Sequence, residues 1–382
     1  MKIAVNTRLL IKNKMEGIAM HAYHVLKRIT IQHPEHQFLF LFDRPFDDSF
    51  IFSSNVTPMV LFPQARHPFL FYWWFEYSVA AVINKVKPDL FYSPDGYLSL
   101  RAGTCSLPVM HDINYEHYPN DLPWLTRAYY KKFSPLFAKK GQRILTVSEF
   151  SKKDIATTYN IDPGKIDVVY NGADEAYKVM SKEEKESVKQ KYTGGKDYFL
   201  YVSALHPRKN VKRLLQAFDK MKGNTGSDIK LVLVGPEYFK NSEMMNVYGS
   251  MKHKQDVIFT GRLNVEQLCK VTGAAFALAY VSYFEGFGIP IIEAMNCDVP
   301  VIASDVTSMP EIAGDAALLV DPFSVDEIAR GMTDVLKYEA LRQGLIEKGR
   351  VRKNNFSWDK TAALTWNAIE KTVNECASSR HI

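Results

Sequence analysis

Residues 285–293 read EGFGIPIIE: two carboxylates eight residues apart, flanking a Gly-Phe-Gly turn and a proline. Glycines at such a turn permit tight bending and close approach of the backbone to a ligand. Pro290 suits the first turn of a helix, where its missing N–H leaves no bond unmade. The continuation IIEAMNCDVP therefore predicts a helix, with Glu293 about one turn inside it. Bare amides at that helix start would hold an anion such as a diphosphate. A loop carboxylate and a helix carboxylate on either side of an anion site fit a ligand with phosphate in its middle and hydroxyls at both ends. A nucleotide-sugar has that shape.

The surroundings of this loop predict a nucleotide-binding sheet. Apolar runs such as KLVLVG (230–235), VIFTG (257–261), FALAYVS (276–282), VPVIASD (299–305) and AALLVDP (316–322) alternate with stretches of helical spacing. The N-terminal half does the same, with MKIAVNTRLLI, FLFLFD (38–43), DLFYSPD (89–95), LPVMHD (107–112) and RILTVS (143–148). Strands apolar throughout and alternating with helices predict an α/β fold with parallel sheets. A chain of 382 residues is long for one core and fits two domains. The boundaries expected are 1–178, 179–355 and a final helix over 356–382. The linker is placed at the beginning of the charged run SKEEKESVKQKYTGG (181–195), with the second domain just after it. Two open parallel sheets bind ligands at the carboxyl ends of their strands, so the expected site is a cleft between the domains.

Composition excludes several classes. Hydrophobic content of 46% is that of a globular protein, and no apolar run is long enough to span a bilayer. The N-terminus reads as a first strand rather than a signal peptide. Four scattered cysteines, Cys105, Cys269, Cys297 and Cys376, show neither a metal-ligand pattern nor a disulfide framework, so a reducing cytoplasm is expected. The net charge of +6 suits a small anionic ligand or an anionic membrane surface. No nucleic-acid motif accompanies it, and no nucleic-acid partner is expected. HExxH, DxD and cysteine–histidine clusters are absent, as are GxGxxG and the P-loop pattern. No metal and no separate cofactor are expected.

Other candidates follow from position. HPRKN (206–210) stands between a strand and a helix expected over 209–222. Arg208 and Lys209 would be disfavoured beside a helix N-terminus unless an anion shares the place. A solvated basic loop is the plainer alternative. His111 closes PVMHD, where a ring that titrates near neutrality can donate to a sugar hydroxyl; a packed loop histidine is the alternative. Gly17 stands between the first strand and first helix, a place that admits phosphate, although one glycine is a weak signal. Thr260, Gly261 and Arg262 should line the rim against a base. The aromatic run FLFYWWF (69–75) and the basic-aromatic segment 125–140 would suit contact with a membrane bearing an acceptor. An aromatic core cluster beside a solvated basic face is the alternative, and the expected one of the two.

The ordered set RKN, LVLVG, FTG, SYFEGFGIPIIEAM, PVIASD and MPEIAGDAALLVDP resembles the retaining glycosyltransferases of family 4, the glycosyl transferases group 1, over nearly the whole chain. The resemblance implies the GT-B architecture, two Rossmann-like domains facing across a cleft. It implies metal-independent transfer of a hexosyl unit from a GDP- or UDP-linked sugar to a hydroxyl of a saccharide or lipid-linked saccharide. Polysaccharide biosynthesis at the cytoplasmic face of a membrane would be the setting. By likeness, Arg208 and Lys209 hold the diphosphate, and Glu293 the ribose. Glu285 and the backbone of Phe287, Gly288 and Ile289 surround the sugar and its phosphates, His111 stands near the transferred sugar, and Gly17 lies in the phosphate loop. The last helix should cross back to the N-terminal domain. Two departures are visible: Glu16-Gly17 stands where a double glycine is frequent, and Asn296-Cys297-Asp298 replaces a tight small-residue turn, so Asp298 is expected in an unusual backbone conformation. A nucleotide-sugar epimerase of the same architecture and a non-catalytic nucleotide-sugar-binding protein are the alternatives.

Overall fold

The computed structural model describes residues 1–236 and 242–379. It divides into two compact units: Met1–Gly172 together with the C-terminal segment from Ser357, and Ala173–Phe356. Among the described residues, no helix is long and apolar enough to cross a membrane.

The first unit holds β1 (Lys2–Asn6), β2 (Gln37–Phe42), β3 (Val56–Val60), β4 (Leu90–Ser93) and β5 (Ser106–Pro108). They form one parallel sheet in the order β3-β2-β1-β4-β5. Alternation along the strands supplies both faces. Ile3 and Val5 with Phe38, Phe40 and Phe42 join helix Gly17–Gln32 through Val25, Leu26 and Ile29. Ala4, Leu39 and Leu41 join Trp74, Phe75 and Phe137 on the other side. The last helix, Trp358–Ser379, lays Ala362, Trp366 and Ile369 into the first of these clusters. β6 (Ile144–Thr146) and β7 (Ile166–Val168) pair separately, tied to the main sheet by a bridge from Leu145 to Val109.

The second unit holds β8 (Tyr198–Val202), β9 (Lys230–Val234), β10 (Val257–Gly261), β11 (Ala277–Tyr280), β12 (Val301–Ser304) and β13 (Ala317–Val320). These make a six-stranded parallel sheet in the order β10-β9-β8-β11-β12-β13. In each unit the strand order reverses beside the first strand, between β1 and β4 and between β8 and β11. Ligands of open α/β sheets bind at such switch points.

Four expectations need correction. Segment 181–195 is not a plain linker: Lys182–Thr193 is a helix, with Ser181 and Glu184 making a reciprocal capping box and Gly194 closing it in the left-handed conformation. The second unit begins at Ala173, upstream of that helix. His111 does not close a strand, because β5 ends at Pro108 and only Val109 bridges onward. Cys105 and Cys376 are joined as a disulfide within the first unit. Widely separated cysteines carry no local spacing signal for such a pairing. Asp298 does take the left-handed conformation, at φ 56°.

Candidate functional site

The second unit's switch point gathers the basic pair and the first glutamate. After β8 the chain forms a short 3₁₀ turn, Pro207–Lys209, and Asn210 then turns left-handed at φ 61° before helix Val211–Thr225 begins. Arg208 and Lys209 therefore precede that helix rather than open it, a correction to the predicted start at 209. Proline sets the turn and Asn210 breaks it, holding the carbonyls of Val281 and Pro322 through its side-chain amide at 2.9 and 2.7 Å.

Across the switch point, Glu285 follows β11. Lys209 Nζ lies 2.6 Å from its Oε1, and Arg208 donates to its Oε2 at 3.0 Å. The Tyr280 hydroxyl, at the end of β11, donates to Oε1 at 2.8 Å. Arg208 also donates to the Phe284 carbonyl at 2.9 Å. Glu285 is buried. Burial alone would raise its pKa, but Lys209 and Arg208 outweigh it and hold the carboxyl at about 2. Arg208 and Lys209 thus share one ionised, buried carboxylate.

The backbone of the loop beyond is held by the side chains of Thr307 and Ser308. Ser308 Oγ lies 2.9 and 3.0 Å from the carbonyl oxygens of Glu285 and Phe287. Thr307 Oγ1 accepts from the Glu285 amide at 3.3 Å while Thr307 itself stands at φ 58°, costly for a β-branched residue. Gly288 caps helix Ile289–Asn296 at φ 102°, where a Cβ would come within 3.2 Å of the Ile291 side chain. Pro290 lies in that helix's first turn, as predicted. Phe287 is buried edge-on against Phe356.

Glu293 sits on the helix in a different setting, beside Tyr177, with Asp174 adding like charge. Burial raises its carboxyl to about 8, against the opposing hydrogen bond from Tyr177. The thiols of Cys269 and Cys297 nearby are pushed up to about 12, burial again being the first cause. Thr260 and Gly261 end β10, the edge strand, with Thr260 Oγ1 3.0 Å from the Gly261 carbonyl and Arg262 exposed just beyond. At the end of β9, Gly235 comes so close to β8 that a Cβ would fall 1.9 Å from the Ser203 carbonyl oxygen.

In the first unit, Gly17 opens helix Gly17–Gln32, and a Cβ on it would meet nothing within 4 Å. His111 lies in the loop after β5, its Nε2 2.8 Å from the Pro94 carbonyl at the end of β4. The ring therefore donates from Nε2, and in its neutral form carries the lone pair on Nδ1. Burial lowers its pKa, partly opposed by the Pro94 bond and by Asp112 and Asp95. His21 meets it edge-on at 4.9 Å, bonded through Nδ1 to Asn171 Oδ1 at 2.7 Å, and burial holds it neutral with a pKa of about 3. Arg8 and Asp95 form a buried ion pair at 2.6 Å over the ends of β1 and β4.

Sequence reasoning missed Tyr177, Tyr280, Thr307, Ser308, His21 and Asn171. Each acts through a contact made by the fold; Ser308 abuts MPEIAGD, and Tyr280 lies within the run FALAYVS (276–282).

Known proteins resemble the chain in both of its units. The model of Glycosyltransferase Family 4 matches residues 15–177, and that of Glycosyl transferases group 1 matches residues 182–352. An O-antigen chain mannosyltransferase B of Escherichia coli is 30% identical over 292 residues, covering 76% of each chain. The O-antigen chain mannosyltransferase RfbU of Salmonella typhimurium is 34% identical over 216 residues, 56% of each. The Anabaena protein HepE, crystallised with UDP and glucose, superposes with a TM-score of 0.76 at 18% identity, covering 97% of this chain and all of its own, a likeness of fold. The chain is a GT-B protein and belongs to glycosyltransferase family 4.

Proposed function

We propose that the protein is a retaining, metal-independent glycosyltransferase that moves a hexosyl unit from a GDP- or UDP-linked sugar to a hydroxyl of a saccharide or lipid-linked saccharide. The observation that carries the reading is the Arg208–Lys209–Glu285 triad at the switch point of the six-stranded sheet. A departing nucleoside diphosphate gains negative charge, and fixed cations aimed at it stabilise the transition state without reorganising. Glu285 holds both cations in place before the donor arrives. In this reading Arg208 and Lys209 take the neutralising role that a metal ion would otherwise fill.

Retention follows a same-face substitution. The bond from the anomeric carbon to the diphosphate oxygen breaks, the acceptor oxygen bonds to the same face, and the acceptor proton passes to the departing phosphate. Glu285 is bound to two cations and held at about 2, which makes it a poor nucleophile. Glu293, with Tyr177, is the ribose partner, and the backbone of Phe287, Gly288 and Ile289 with Thr260, Gly261 and Arg262 lines the donor. Gly17 and His111 belong to the acceptor and sugar side, where neutral His111 accepts a sugar hydroxyl through Nδ1.

The names of the two O-antigen chain mannosyltransferase relatives support a mannosyl unit as the group transferred and a growing O-antigen-type chain as acceptor. The test is product analysis with GDP- and UDP-linked hexoses, an acceptor pool and chelator. Transfer with the anomeric configuration kept, insensitive to chelator, is expected. Inversion, or a loss of activity on chelation that Mn²⁺ or Mg²⁺ restores, overturns the mechanism.

A further inference from the structure

The mechanism leaves one buried histidine unused. His21 stands one helical turn after Gly17 on helix Gly17–Gln32 and is 0% exposed. Its Nδ1 lies 2.7 Å from Oδ1 of Asn171, itself buried. An amide oxygen only accepts, so the proton of His21 sits on Nδ1 and Nε2 carries the lone pair. Among the described residues, that Nε2 has no hydrogen-bond partner. An unmade bond at a buried acceptor costs about 1–3 kcal/mol, a cost that a leucine or phenylalanine in the same place would not carry. The choice of asparagine has its own consequence. A carboxylate at 171 would draw His21 to its charged form and set a cation against its neighbours.

Those neighbours are rings. The His111 imidazole meets His21 at 4.9 Å with the two planes at 89°, and the Trp358 indole meets it at 6.1 Å and 75°. Edge-to-face pairs of this kind are attractive and directional. The frame around His21 is itself fixed. Trp358 stacks on His24 at 4.7 Å. Gly172 lies so close to the last helix that a Cβ on it would fall 2.4 Å from the Trp358 amide nitrogen, and the Thr361 hydroxyl donates to the Tyr170 carbonyl at 2.5 Å. Asn171 is thus pinned to that helix through the residues before and after it.

His111 has two holds of its own. Its Nε2 donates to the Pro94 carbonyl at 2.8 Å, and its backbone carbonyl accepts from the Ser151 hydroxyl at 3.1 Å. These fix the backbone and one corner of the ring. A ring hinged at one corner can still turn its plane, and the perpendicular His21 ring takes up that freedom.

We propose that His21, locked in one tautomer by Asn171, is a positioning residue for the transfer step: it holds the plane of the His111 ring so that Nδ1 of His111 is presented to the sugar hydroxyl. The inference rests on the reading of His111 as a partner of the sugar. A displacement of about 1 Å from productive geometry can cost on the order of 100-fold in rate. A ring free to swing should therefore be felt in turnover and not in nucleotide binding, whose proposed residues lie in the other unit.

The test is steady-state kinetics of the full chain with GDP- and UDP-linked hexoses and the acceptor pool, beside titration with free GDP and UDP. His21→Leu should lower kcat on the order of tenfold, with donor KM and nucleotide affinity unchanged. His21→Phe keeps a ring in the same place and should recover most of that loss. Asn171→Ala frees the tautomer, touches neither ring and should lower kcat in the same direction. In a double-mutant cycle, His21→Leu should have no further effect in the His111→Ala background. Unchanged thermal melting shows that the variants are folded; should the leucine variant not fold, Asn171→Ala takes its place in the cycle. Normal kcat in the folded variant, or a loss undiminished in the His111→Ala background, overturns the positioning role. Wild-type turnover by His111→Ala itself overturns the reading of His111 on which that role rests, and absence of transfer by the wild-type chain overturns both.

Discussion

Glu285 is surrounded by cations and Glu293 is not, and their chemistry separates accordingly. Arg208→Ala should lower turnover by about 100-fold, as loss of one transition-state donor does. Lys209→Ala should do the same and also cost about 3 kcal/mol of stability, because it leaves a buried carboxylate short of a partner. Glu285 lies below its ordinary 4.5, so its stabilising contribution is present above that value and is lost as pH falls through about 2. In Lys209→Ala the loss should move to higher pH. Denaturant titrations near neutrality and in acid, with rates alongside, check both; near-normal turnover in folded variants removes the pair from the site. Glu293 is the opposite case. Its folded pKa of about 8 lies above the ordinary 4.5, so its contribution to stability is present below 4.5 and is lost as pH rises through 8. Ribose hydroxyls donate to the ionised form, so nucleotide affinity should rise with pH up to about 8, with a proton released on binding. Calorimetric titration in buffers of different protonation heat reads that proton; a flat profile with no release excludes ionised Glu293 as the ribose partner. Glu293→Gln should flatten the slope. Both glutamates and the basic pair were legible because they sit within short motifs. Tyr280 and Tyr177 were not, since nothing local says which side chain a strand end or a loop will bring against a carboxylate.

Elements were legible where periodicity or a turn residue marked them. FLFLFD reads directly as β2, with phenylalanines to one face and leucines to the other. Helix Ile289–Asn296 was placed by Gly288 and Pro290. Helix Lys182–Thr193 was missed because its body is polar almost all round; its signal lay in the ends, a Ser181–Glu184 box and a Gly-Gly stop. Expected strands 107–112 and 143–148 shrank to three residues each, since apolar character outlasts ladder pairing at a sheet margin. The turn into β12 yields a clean prediction. Asp298 stands at φ 56° and pairs with Arg350 at 2.7 Å. Asp298→Ala and Asp298→Gly both lose the ion pair, and only glycine takes the left-handed region freely. The glycine variant should therefore be the more stable by about 1 kcal/mol, read from urea midpoints. Equal stability would mean that the turn relaxes at no cost.

At the level of the whole chain, two parallel sheets were legible from alternation alone, but the pairing of Cys105 with Cys376 was not. Those residues are 271 apart in sequence, and only the return of the last helix to the first unit brings them together. The two units therefore answer to different chemistry. The triad, Glu293 and the Gly288 loop all lie in Ala173–Phe356, whereas the disulfide lies wholly in the other unit. A ligand stabilises only what it binds, by about 2.7 kcal/mol at a concentration 100-fold above its dissociation constant. In scanning calorimetry the cognate nucleotide should raise the transition of the second unit, and Arg208→Ala should abolish most of that rise. Reductant should lower the transition of the first unit, where the cross-link restrains the unfolded chain, and leave the nucleotide-sensitive one in place. Domain melts that move together merge the two signals into one peak, and the nucleotide shift in wild type against Arg208→Ala still decides the matter. If no nucleotide or nucleotide-sugar raises either transition of the wild-type protein, donor binding at the β8–β11 switch point is wrong, whatever the fold.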